Sequence, residues 1–322
     1  MNKKITLEVI SKYRTELMGL AIIGVMIGHV LNHTSFHPPI IAHTIRLLHT
    51  PAFLFLSGFG LYYSFSKDSK ILPFLKKRLT RLYLPFLIIA SPLFILELAT
   101  GLTDGLQFLG RISTLGFWIE GNFCGMWYVA VSMMLYALFP LMYQAMFNKQ
   151  SKPFVVTTII VCSMIALFAF IQNSHPTYYE KIGLWVSKTY MFPIGCYVGY
   201  LAKNGIKIHL SMIGIFVLCS IVLFYYGVNE PVTRSCIGIP LACLLMPIVF
   251  KDGKNNKIRE LIKWFGQKSL ELYLLHVIIY FAIQETIGLK KMWLAMVIAV
   301  CCAIIICEPI SLLIKKITQK IA

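Results

Sequence analysis

The chain has 322 residues, 58% of them hydrophobic and only 13% charged, with a mean hydropathy of +0.74. A soluble domain carries roughly 25% charged residues, and no polar interval here approaches the ~50 residues of a small domain, so a soluble enzyme and a soluble appended domain are both excluded. The net charge of +17 does not indicate a nucleic-acid surface: Lys and Arg fall in short connectors between apolar runs, as the positive-inside rule requires, and form no basic stripe with interleaved aromatics.

A membrane helix needs ~20 mostly apolar residues. Such runs predict ten spans, at about residues 15–31, 44–65, 83–100, 126–147, 154–172, 184–202, 210–227, 234–250, 269–287 and 292–314. The expected fold is an all-α polytopic membrane bundle forming a single domain over residues 1–322. Lys3, Lys4 and Lys12 precede the first run in the manner of a signal peptide, but no A-x-A-like site follows, so the run is expected to stay as the first helix. Of the 30 Lys and Arg residues, 23 lie on the side of the N-terminus. The other seven (Arg46, Arg111, Lys181, Lys188, Arg234, Lys290 and Lys291) lie in or near connectors of the opposite side. This asymmetry predicts that both termini are cytoplasmic. The nine cysteines show no C-x-x-C and no metal-ligand spacing, and read as small buried hydrophobes.

Ionisable residues inside apolar runs are costly and are functional candidates by default. His29 closes "LMGLAIIGVMIGH" near the outer end of the first span. An imidazole titrates near neutral pH and can serve as a general base; Glu97 or Glu120 could orient its second nitrogen. By position alone His29 also suits a helix-end histidine solvated at the interface. His29, His33 and His37 repeat every four residues, but Pro38 and Pro39 end any helix there, which argues against a metal stripe. The longest outward connector, residues 101–125, is aromatic and suits a surface segment or a cap. The inward connector "SKDSKILPFLKKRLTRLYLP" carries the densest positive charge. On a helix Arg78 and Arg81 share a face, which suits bidentate phosphate recognition, although an ordinary inside anchor that attracts anionic lipid has the same charge. Trp127 and Tyr128 open a helix at the outer interface. Ser269, Glu271, Tyr273 and His276 are polar points in the ninth span, with Glu271 and His276 about 140° apart around it, so these two form no pair. Glu308 lies in the inner half of the last span.

Taken in order, these segments resemble acyltransferase family 3, integral-membrane enzymes that acylate sugars and other acceptors, often with acetyl groups from acetyl-CoA. "ELMGLAIIGVMIGHV" resembles the family's first helix with its catalytic histidine, here His29. "PAFLFLSGFGLYYS", with Ser57 and Gly58, resembles the second helix. "KKRLTRLYLPF" matches the R-x-x-R motif through Arg78 and Arg81. "GMWYVAVSMMLYALFPL" is similar to the Trp-led helix, here Trp127 to Pro140. "GQKSLELYLLHV" is similar to the Ser-x-x-x-Tyr-Leu-x-His segment, with Ser269, Tyr273 and His276, and "CEPISLLIKK" to the final Glu-Pro, Glu308 and Pro309. Two positions depart: Met18 stands where many members have an arginine, with Arg14 one turn earlier, and no glutamate stands near Ser132 and Met133. The periplasmic domain that some members append is not expected here.

The resemblance implies an O-acetyltransferase of the inner (cytoplasmic) membrane with no metal. Acetyl-CoA or another acyl-CoA would dock on Arg78 and Arg81, with Arg14 assisting. His29 with Glu97 would be catalytic, and Ser57, Trp127, Tyr128, Glu271, Tyr273 and His276 would support the site. The acceptor would be a sugar or polysaccharide hydroxyl, lipid-linked in some pathways, and membrane lipids would surround the bundle. The rival class is a polysaccharide or small-anion transporter without acyl transfer, which has no need of the R-x-x-R signature. A third is a structural partner in polysaccharide assembly.

Overall fold

The computed structural model describes residues 4–34, 44, 46–121, 126–250 and 256–321. In chain order these form β1 (Lys4–Thr6), α1 (Glu8–Lys12), α2 (Arg14–Asn32), α3 (Thr50–Phe65), α4 (Ile71–Arg78), a π-helical turn (Leu79–Tyr83), α5 (Leu84–Ala99), α6 (Gly105–Ser113) and α7 (Gly116–Glu120). Then come α8 (Trp127–Phe147), α9 (Pro153–Ser174), α10 (Pro176–Val186), α11 (Met191–Lys203), β2 (Lys207–His209), α12 (Leu210–Tyr225), α13 (Glu230–Val249), α14 (Asn256–Gln267), α15 (Ser269–Ile287) and α16 (Met292–Ile321).

The protein is nearly all-α, and among the described residues seven helices are long and apolar enough to cross a membrane: Arg14–Asn32, Ile71–Ala99, Trp127–Phe147, Pro153–Ser174, Glu230–Val249, Ser269–Ile287 and Met292–Lys320. It is a multi-pass membrane protein. The other three expected spans fall on α3, α11 and α12, which have 16, 13 and 16 residues, fewer than the ~20 of a full span. Proline sits in the first turn of α3, α9, α10 and α13, where its missing N–H leaves no helical bond unmade.

The structure differs from the sequence reading at four places. One is a departure from all-α: β1 and β2 pair antiparallel with Ile5 opposite Ile208, which ties the N-terminal segment to the connector before α12. The basic connector after α3 is helical, running unbroken from α4 into α5. Its π turn directly precedes Pro85, which has no N–H for the Arg81 carbonyl and crowds it, so the winding loosens there. The connector of residues 101–125 folds, within its described part, into α6 and α7. Asp104 and Gln107 form a capping box, and Phe117 is buried. Finally, α14 is an amphipathic helix packed against the start of α2.

Two glycines make that last contact. A Cβ on Gly266 would lie 1.9 Å from the Thr15 carbonyl oxygen, and one on Gly19 would lie 2.0 Å from that of Ile262. Buried Glu16 accepts a 2.8 Å hydrogen bond from Arg259 across the same interface. Gly58 and Gly195 bring α3 and α11 together in the same way, at Phe192 and Phe55. Such small-residue contacts let membrane helices meet at backbone distance. Gly266→Ala is therefore expected to destabilise the protein by about 1–3 kcal/mol through overpacking, read as a lower melting temperature in detergent. An unchanged melting temperature would mean that α2 and α14 do not meet here.

Candidate active site

A cavity of about 470 Å³ opens between α2, α3, the π turn, α8 and α15. Arg14, Arg78 and Arg81 line it, together with Ser57, Gly60, Ser64, Tyr128, Tyr136, Gln267, Ser269, Glu271 and Tyr273. Three guanidinium groups thus share one chamber, and the carboxylate among its lining residues is Glu271. Arg14 Nε donates to the Leu56 carbonyl at 3.2 Å. Arg78 Nη2 donates to Ser64 Oγ at 3.1 Å, and its guanidinium lies over the Phe74 ring. Arg78 Nε is buried with no hydrogen-bond partner. A buried donor without a partner is uncommon, and here it sits in a cavity wall.

The chamber's far wall is tyrosine. Tyr128 and Tyr273 meet edge to face with ring centroids 5.5 Å apart, while Ser57 and Tyr136 share a 3.0 Å hydrogen bond. Behind Tyr273 lies His276, ring centroids 6.0 Å apart, and behind His276 lies His29. Their nitrogens, His29 Nδ1 and His276 Nε2, are 3.0 Å apart. His276 Nδ1 lies 2.7 Å from the Leu272 carbonyl oxygen. A carbonyl only accepts, so His276 Nδ1 carries its proton. With both rings neutral, His276 Nε2 accepts and His29 Nδ1–H donates. The relay leaves His29 Nε2 unprotonated, the form a general base requires.

Residues 17–312 match the family described as an acyltransferase domain. The chain belongs to acyltransferase family 3. No curated protein and no solved structure matches it significantly.

Several residues expected at the site of this acyltransferase are brought together: Arg14, Arg78 and Arg81 line one chamber with Ser57, Tyr128, Glu271 and Tyr273, and His29 and His276 are in contact. Arg14 and Met18, the position where many members have arginine, line the same chamber, so Arg14 brings a guanidinium into that space. Others fall elsewhere. Glu97, the carboxylate expected on His29, is buried in an ion pair with Arg111 of α6, with Glu285 alongside. What orients His29 is His276. Glu120 is exposed. Glu308 accepts hydrogen bonds from Trp264 and Lys268 at a half-exposed position. Trp127 is buried, stacked on Trp185 with centroids 5.3 Å apart. His37 and Cys124 lie outside the described residues.

The sequence reading missed Gly60, Ser64, Tyr136 and Gln267. Gly60 leaves room for Arg14: an added Cβ would lie 2.8 Å from its Nη2. The second glycine of "SGFG" was the available signal. His276→Ala should remove the acceptor that holds His29 Nδ1–H. Expected is a loss of about 100-fold in kcat with the donor KM unchanged, measured by steady-state kinetics; a matching rise in KM would instead place His276 in donor binding.

Proposed function

We propose that this protein moves an acyl group, acetyl in the first instance, from cytoplasmic acyl-CoA to a hydroxyl of an extracytoplasmic sugar or polysaccharide, and that it does so in the cytoplasmic membrane. The observation that carries this reading is one continuous arrangement. Three arginines line the near part of a cavity, and beyond its tyrosine wall a histidine pair leaves one ring nitrogen free to accept a proton. The excess of Lys and Arg on the N-terminal side supports cytoplasmic termini, which puts the arginines on the side where the coenzyme is made and His29 toward the other.

The coenzyme's phosphates suit the three guanidinium groups, and the unpartnered Arg78 Nε supplies a donor in the wall. The pantetheine arm extends from there toward Tyr128 and Tyr273, and the thioester passes this pair to reach His29. The acceptor hydroxyl enters from the outer side. His29 Nε2 takes its proton as the oxygen attacks the thioester carbonyl. The tetrahedral intermediate collapses with cleavage of the carbon–sulfur bond, and the coenzyme leaves as a thiolate that is then protonated. His276 stabilises the imidazolium through the shared hydrogen bond. A two-step route through an acyl-histidine uses the same residues.

The test is coenzyme A release from radiolabelled acetyl-CoA by the purified protein in detergent, with and without crude cell-surface glycan. Glycan-stimulated release supports the reading. Absence of release with both acetyl-CoA and succinyl-CoA would move the assignment to transport of a glycan or small anion.

A further inference from the structure

Beyond the histidine pair, on the side away from the arginine chamber, lies a second concentration of positive charge that the reaction above does not use. Lys188 is only 3% exposed. Its ammonium sits 4.9 Å from the ring centroid of Trp127 and 4.7 Å from that of Trp185, and among the described residues no carboxylate pairs with it. Lys188, Arg46 and Arg234 all lie close enough to His49 to act on it electrostatically, and Lys188 acts on His29 as well. Arg46 and His49 rest against the turn that carries His29: a Cβ on Gly28 would lie 3.4 Å from Arg46 Nε and 3.7 Å from His49 Nε2. Arg46 donates to the Gly28 carbonyl and to Asn32 Oδ1. Arg234 pairs with Glu230, yet its Nε is buried without a partner.

Three cations thus converge around His49, which rests against the turn that carries His29, and the carboxylate among their described contacts is the half-exposed Glu230. Two indole faces hold an ammonium in place but do not neutralise it. A buried charge without a counter-ion is strongly unfavourable, so this arrangement is suited to an anion that arrives from outside.

We propose that the Lys188, Arg46 and Arg234 cluster is the subsite for an anionic group of the acceptor, a sugar carboxylate or phosphate next to the hydroxyl that is acylated. This rests on the acyl-transfer reading for its purpose but not for its test. The cluster makes the enzyme selective for acidic glycans, anchoring the anion on Lys188 while the neighbouring hydroxyl meets His29 Nε2.

Intrinsic tryptophan fluorescence of the purified full chain, with no acyl donor present, reads this site through Trp127 and Trp185. Titrations with glucuronate, glucose 6-phosphate and glucose at matched ionic strength separate carboxylate, phosphate and neutral sugar. A saturable response to at least one anionic sugar and none to glucose is expected. Lys188→Gln should weaken that binding about 10-fold or more without lowering coenzyme A affinity. Equal responses to glucose and both anionic sugars, no response to either anionic sugar, or no effect of Lys188→Gln would overturn the proposal. So would an equal loss of turnover on neutral and acidic acceptors in Lys188→Gln, which would assign the ammonium to the oxyanion of the reaction. If glycan-stimulated acyl transfer fails while selective anion binding persists, the acyl-transfer reading falls and the anion site stands.

Discussion

His29→Ala lowers the maximal rate of coenzyme A release by about 10²–10⁴-fold, the range that a positioned general base contributes, and leaves acetyl-CoA binding intact. The separation follows from position. His29 lies behind Tyr273 and His276, while the groups suited to the coenzyme line the chamber on the other side of that wall. The loss should therefore appear in kcat, with the donor KM within about twofold of wild type. His29→Gln keeps a polar side chain but has no basic ring nitrogen, and is expected to be as inactive as the alanine variant. Wild-type turnover in either variant would remove His29 from the reaction.

The second large effect belongs to the donor end. Arg78→Ala/Arg81→Ala removes two of the three guanidinium groups in the chamber. Hydrogen bonds to charged groups contribute about 1.5–3 kcal/mol each, so the double variant should raise the acetyl-CoA KM by at least about 10²-fold, with kcat recovered at saturating donor. Arg14→Ala should act in the same direction by about tenfold, through its place in the same wall. Steady-state kinetics over a wide range of acetyl-CoA concentration decides between these outcomes and a fall in kcat alone, which would assign the arginines to the fold rather than to the coenzyme.

Hydropathy reveals most of the membrane architecture because a long apolar run has few other uses. Seven of the ten expected spans coincide with helices of membrane-spanning length and composition. The pattern was silent where a helix is amphipathic or short. The segment Asn256–Gln267 looks like a charged connector, yet it folds as a helix whose Gly266 meets Thr15. The motif order brought Arg78, Arg81, Tyr273 and His276 forward, but not the partner of His29. That contact joins residues 247 apart in the chain, and no periodicity within one helix encodes it. Depth counted from span ends favoured Glu97, which Arg111 engages instead. Periodicity describes faces, whereas pairing across the bundle depends on how far each helix slides along its neighbour, and here glycine contacts set that slide.

The short helices at the centre have a consequence for the bilayer itself. At 1.5 Å per residue, α3 is about 24 Å long and α11 about 20 Å, against a hydrocarbon core of ~30 Å. By contrast α9, which is almost wholly lipid-facing, is about 33 Å long for its 22 residues and matches the full thickness. A helix that ends within the depth of the acyl chains leaves backbone groups that must be met by protein or by water. The described lengths of α3 and α11 thus give a closely packed pair shorter than the hydrocarbon core. On the proposed reading, the low-dielectric distance that donor and acceptor must bridge is set by that short pair, not by the lipid.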